Sequence, residues 1–100
     1  MTSSHDPDNK ALPPSEIRRL LTPGWEQHDQ VISKTYSFDN YYQTIAFVNA
    51  VAWMAHREDH HPDLTVSYNR CRVAYTTHAI NGLSTNDFTC AVKADALFIP

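Results

Sequence analysis

Apolar and polar residues recur along this chain with two different periods, and each change of period marks an element. Ile17, Leu20 and Leu21 share one side of a helix that Ser15 can cap and that Thr22-Pro23-Gly24 stops. Trp25 to His28 reads as a short strand and Val31 to Phe38 as a second, with Ile32, Tyr36 and Phe38 at alternate positions and Lys34 interrupting their apolar face. From Asp39, an N-cap by residue type, the period lengthens: Tyr41, Ile45, Val48, Ala52 and Ala55 form one stripe, and Phe47, Val51 and Met54 a second. Two stripes exceed what one sheet face covers, which predicts that another helix, such as one from a second subunit, packs on this element. Pro62 disfavours helical geometry in the residue before it, so the helix ends at or before that point with His60 and His61 at its terminus.

A period of two returns at Leu64, Val66 and Tyr68 and again at Cys71, Val73 and Tyr75, with Asn69-Arg70 as the turn of a hairpin. Ser84 can cap a last helix carrying Phe88, Ala91 and Val92, with Asp87 three residues on in the capping-box position. Residues 1–14, with Pro7, Pro13 and Pro14 among small polar groups, bury too little apolar surface to offset ordering and are expected to be a flexible tail. Residues 15–100 then make a single domain.

Composition excludes more than it proposes. Hydrophobic residues are 42% and charged residues 19%, ordinary for a globular chain, and the formal net charge of −3 offers no polycationic surface to nucleic acid. The longest apolar stretch, about Ile45 to Ala55, is interrupted by Asn49 and falls short of the roughly 20 residues a membrane span needs. The opening MTSSHDPDNK has neither the basic nor the apolar region of a secretory signal, so the expected compartment is the cytoplasm. Cys71 and Cys90 are too few for a disulfide framework or a zinc knuckle and are expected to be reduced, half-buried thiols.

Histidine is where the chain departs from the ordinary. Four of its six histidines fall within HREDHHPDLTVSYNRCRVAYTTH, residues 56–78. With the turn centred between Asn69 and Arg70, antiparallel pairing sets Tyr68 against Cys71, Val66 against Val73, Leu64 against Tyr75, Pro62 against Thr77 and His61 against His78. Directly opposed residues lie about 4.5–5.5 Å apart at Cα, so two imidazoles distant in sequence would flank one pocket. His60 and His56 complete an imidazole-rich corner. Two chemistries suit it. His56 and His60 have the i, i+4 spacing of a helical zinc pair; alternatively, imidazoles move protons near neutral pH without a metal. Proton transfer fits better, because a metal site usually recruits a carboxylate or thiolate as well. Cys71 lies at the far end of the hairpin, and Glu58 points off the His56–His60 face as a solvated charge. His5 and His28 are read as surface residues without a role.

The pattern His56-x3-His60-His61-Pro62-x5-Tyr68-x9-His78-x8-Asp87 resembles the signature of the pterin-4a-carbinolamine dehydratase family. The likeness extends through Gly24-Trp25, Phe38, Tyr68-Asn69 and Gly82-Leu83-Ser84 and covers about residues 15–97. It departs from the better-known members at His56, where a glutamate is common, and at Ala79, where a glutamate often follows the histidine. The resemblance implies an α+β two-layer sandwich, a four-stranded antiparallel sheet with its helices on one face in the order α-β-β-α-β-β-α. It implies a hydro-lyase that dehydrates a 4a-hydroxytetrahydropterin to the quinonoid dihydropterin in the recycling of the tetrahydrobiopterin used by aromatic amino acid hydroxylases. On this reading His60, His61 and His78 are catalytic, with His61 and His78 the proton-transfer pair. Asp59, Pro62, Thr76 and Thr77 join them in holding the pterin. No metal or other cofactor is implied. The family implies a homodimer or homotetramer, and its other role, as dimerisation cofactor of a transcription factor, is the alternative function; a eukaryotic member with that role would also be nuclear.

Overall fold

A computed structural model describes residues 10–99; the rest of the expected tail, His5 and Pro7 included, lies outside the described residues. Helix α1 (Pro14–Leu20) leads into strands β1 (Glu26–His28) and β2 (Val31–Ser37), then helix α2 (Tyr41–Glu58), strands β3 (Asp63–Val66) and β4 (Arg70–Tyr75), and helix α3 (Thr85–Leu97). The four strands form one antiparallel sheet in the order β1-β2-β4-β3. Ile32, Tyr36, Cys71, Val73 and Tyr75 turn one face of it into the core, where Phe47, Val51 and Met54 of α2 and Phe88, Ala91 and Ala94 of α3 meet them. The opposite face shows Thr35, Ser37, Arg70 and Arg72 to solvent. This is the α+β arrangement expected, with the helical layer on the apolar side of the sheet.

Several boundaries differ from expectation for identifiable reasons. Helix α1 begins at Pro14, a residue pre-organised for the first turn, and Ser15 is not its cap. Leu12, expected to belong to a flexible tail, donates its N–H to Leu83 O at 2.8 Å and packs against the core. A Cβ on Gly82 would meet the Ala11 Cβ at 2.9 Å, so glycine there lets this strap cross the loop before α3. At the start of α2 the cap is Asn40, not Asp39: Asn40 Oδ1 accepts the Gln43 N–H at 2.9 Å, and Gln43 Oε1 accepts the Asp39 N–H at 3.1 Å. Of the two stripes on α2, Phe47, Val51 and Met54 enter the core with Ala55, while Tyr41 and Ala52 stay exposed.

The hairpin is slipped by two residues from its expected register. Val66 pairs with Cys71 and Leu64 with Val73, and the Ser67 N–H reaches Arg70 O at 2.9 Å, so Tyr68-Asn69 forms the turn. Two tertiary bonds hold the turn there: Thr44 Oγ1 donates to Tyr68 O at 2.9 Å, and the Phe38 N–H donates to Asn69 O at 2.8 Å. Because side chains alternate with a period of two, a slip of two keeps every residue on its face.

Candidate active site

Helix α2 ends in a Schellman turn. Asp59 takes the left-handed conformation at φ 53°, its N–H bonds His56 O, and the His60 N–H reaches back to Ala55 O at 3.1 Å. This sharp reversal, followed by Pro62, swings His60 into the protein while His61 stays exposed. His56 and His60 are therefore not a helical pair, since the helix has ended between them; His56 remains on the surface, its ring 5.7 Å from that of Trp53. Glu58 is not a free surface charge but bonds Lys93 Nζ at 2.8 Å, tying α2 to α3.

On the other side of the cleft, β4 stops at Tyr75, Thr77 makes an isolated bridge to Gly82, and His78 opens a 3-10 turn through Ile80. His61 and His78 are thus not a ladder pair. They line one cleft, together with Asp59, His60, Thr76, Thr77 and Ala79, because a helix-end turn and a strand-end turn meet there. A second cleft continues past Asp59, His60 and His61 to His56, Pro62 and Leu64. The three assigned histidines are brought together, and Pro62 lines the second cleft, not the one that holds Thr76 and Thr77.

His60 is buried and held on three sides. Its Nε2 lies 2.6 Å from Asp87 Oδ1, its ring stacks on Tyr75 with centroids 5.1 Å apart, and its carbonyl accepts the Tyr75 hydroxyl at 3.2 Å. Burial raises the Tyr75 phenol, with the Cys90 thiol adding to the shift, so this hydroxyl keeps its proton. Asp87 is wholly buried, and its Oδ2 accepts Thr77 Oγ1 at 2.8 Å and the Ser84 N–H at 2.9 Å. The sequence places it in the capping-box position three residues after the Ser84 cap, but that motif does not place its other oxygen on His60.

The remaining polar groups are disposed unequally. The Thr77 hydroxyl points inward to Asp87 and Ser84, and the Thr76 hydroxyl donates to Gln30 O, so neither is a free donor to a ligand. Asp59 Oδ2 is buried and has no partner among the described residues. Cys71 and Cys90 are fully buried rather than half-buried; desolvation raises both thiols, Cys90 to about 11, which keeps them un-ionised and out of nucleophilic chemistry at neutral pH. No group of three or more histidine, cysteine or carboxylate side chains among the described residues is arranged to hold a metal ion. No helix among them is long and apolar enough to cross a membrane.

The chain is similar to known proteins over most of its length. A family model described as pterin 4 alpha carbinolamine dehydratase matches residues 10–97. A relative from Nitrosospira multiformis that bears the family's name is 58% identical over 97% of this chain and 90% of its own. Another, from Nitrosomonas eutropha, is 67% identical over 83% of this chain and 74% of its own. A solved structure from Brucella melitensis, described as a transcriptional coactivator/pterin dehydratase, superposes with a TM-score of 0.84 at 30% identity, covering 88% of this chain and 98% of that one. A second structure, at 20% identity and a TM-score of 0.62, shares the fold. With nearly the whole domain matched, the chain belongs to the pterin-4-alpha-carbinolamine dehydratase family of hydro-lyases.

Proposed function

We propose that this chain dehydrates a 4a-hydroxytetrahydropterin to the quinonoid dihydropterin by histidine acid–base catalysis, returning tetrahydrobiopterin to the cycle of an aromatic amino acid hydroxylase in the cytoplasm. The observation that carries the reading is the convergence of His60, His61 and His78 on one cleft from two separate turns. The departing 4a-hydroxyl needs a proton and N5 must lose one. His61 and His78, both exposed on the cleft walls, supply the mobile imidazoles for this exchange. Asp59, Thr76 and Thr77 line the same cleft and Pro62 the adjoining one, which supports their assignment to pterin binding. The alternative, a protein-interaction module that acts as dimerisation cofactor of a transcription factor, shares the fold, and the Brucella structure's description names a coactivator. A module without catalysis has no use for three imidazoles on one cleft, which favours the enzyme.

The test supplies enzymically generated 4a-hydroxytetrahydropterin and follows quinonoid formation before and after exhaustive chelation. Catalysis that survives chelation at full rate is expected, because proton transfer by imidazole needs no metal. Loss of rate with removal of about one metal ion per chain would replace this mechanism with a metal-dependent one.

The same reading includes a homo-oligomer, a dimer or a tetramer. Tyr41 is 54% and Trp53 61% exposed on α2, a surface suited to another helix. Light scattering at micromolar concentration is expected to give a multiple of the 11.4 kDa chain mass; a monomer would refute the assembly and leave that surface uncovered.

A further inference from the structure

We infer that the outer face of the sheet carries a binding site for a small α-amino acid zwitterion, built from Glu26, Ser33, Thr35 and Arg72. A concavity of about 290 Å³ lies where β1 begins beside β2, lined by these four residues with Gly24 and Lys34. None of them lines either cleft around the histidines, so the inference does not rest on the dehydratase reading. The helices pack on the opposite face of the sheet, yet Ser33 is only 8% exposed. Register accounts for its shelter. Ser33 stands opposite Ala74 of β4, another small side chain, and opposite Glu26 of β1, while Arg72 sits two residues along the sheet against Thr35. The long side chains of Glu26 and Arg72 thus wall a floor of short ones, and Gly24, at φ 90°, bounds the concavity without a side chain to fill it.

The chemistry follows from which groups are free. Lys34 is neutralised by Asp95, 2.9 Å away. The side chains of Glu26, Ser33, Thr35 and Arg72 have no hydrogen bond or ion pair with a described residue. The Ser33 hydroxyl is therefore a sheltered polar group without a protein partner, at the edge of an open space. What remains is one guanidinium, one carboxylate and two hydroxyls that can each donate or accept. The ladders set Glu26 and Arg72 two strands apart and two residues out of step, about 12 Å between Cα atoms. A simple anion would engage Arg72 and be repelled by Glu26, and a simple cation would meet the reverse. A zwitterion satisfies both charges: its carboxylate takes paired hydrogen bonds from the guanidinium, its ammonium donates to Glu26, and the Ser33 and Thr35 hydroxyls complete the carboxylate's shell. The volume, at the lower end of ligand sites, fits an amino acid and not a nucleotide.

Titration of the full chain with glycine, followed by proton–nitrogen NMR correlation, tests the site. Saturable shifts are expected at the amides of Gly24, Ser33, Thr35 and Arg72, with a Kd of about 1 mM for so shallow a site. Propionate and ethylammonium, which carry one charge each, are expected to bind at least about tenfold more weakly. Glycine should lose about the same factor in Glu26→Gln and in Arg72→Gln. Both positions are exposed, so the variants should fold; if either does not, the single-charge probes on the wild type decide. Absence of saturable shifts with glycine would overturn the inference, as would undiminished glycine binding in a folded Glu26→Gln. Propionate or inorganic phosphate bound as tightly as glycine would also overturn it, leaving a plain anion site at Arg72.

Discussion

Replacing His78 with alanine is expected to slow dehydration about 100-fold while leaving the fold intact, and His61→Ala is expected to do the same. Both side chains are exposed, one in the turn after Asp59 and the other opening the 3-10 turn after β4, and neither makes a hydrogen bond or ring contact with another described residue. Their removal should change stability by no more than about 0.5 kcal/mol. The double variant should cost less than the sum of the two singles in free energy, since groups that act on one proton-transfer sequence are not independent. His28→Ala, on the exposed edge strand β1, serves as the control that changes nothing. The measurement is the catalysed rate across pH 6–8 for singles and double, with circular dichroism to verify folding. A wild-type rate in His78→Ala would show that the histidines are gathered in the cleft without doing the chemistry.

The route to that pair shows how far the sequence was legible. Element types and order could be read because each rests on neighbours: the Phe47, Val51 and Met54 stripe, the Ser84–Asp87 capping box and the alternation of Cys71, Val73 and Tyr75 are local patterns. The turn could not be placed, because Asn69-Arg70 and Tyr68-Asn69 are both acceptable by residue type. What selects between them is a hydroxyl from α2 and a backbone N–H from the end of β2. The expected opposition of His61 and His78 therefore rested on the wrong register, yet the two line one cleft. Strand pairing has ended before either residue, and the Schellman turn and the Thr77–Gly82 bridge do the positioning instead. Asp39 and Asn40 pose a similar choice between adjacent caps, decided by where Gln43 can return its amide oxygen. Asp87 shows a different limit: a motif explains one oxygen of a carboxylate and is silent about the other.

Substituting Asp95 with alanine is expected to destabilise the protein by about 3 kcal/mol at pH 7, at a fixed protomer concentration. Lys34, which breaks the apolar face of β2 in the sequence, is one of the donors to this carboxylate. Its Nζ bonds Asp95 Oδ1 at 2.9 Å, and its stem lies where a Cβ on Gly24, itself at φ 90°, would intrude. The same carboxylate accepts the Trp25 indole N–H at 3.2 Å and the hydroxyl of Tyr36, a residue only 2% exposed. Donors from the segment before β1 and from β2 thus converge on one α3 side chain, and their 59–70-residue separations hid the cluster from pattern reading. Truncation to alanine strands a buried phenol, an indole N–H and a cation at once, and hydrogen bonds to charged groups are worth about 1.5–3 kcal/mol each without adding fully. The pH dependence has a definite sign. Partial burial pushes the Asp95 carboxyl up, but the bonds from Tyr36, Lys34 and Trp25 outweigh it and hold the group below its ordinary value of 3.8. A carboxyl lowered by folding contributes stability that is present above that ordinary value and is lost as pH falls through the folded one. Urea unfolding of the wild type and Asp95→Ala should therefore show a gap that is full at pH 7 and narrows below about pH 4. A gap under about 1 kcal/mol at pH 7, or one that persists undiminished at pH 2, would show that the cluster is held by packing of the two rings and not by the charge at its centre.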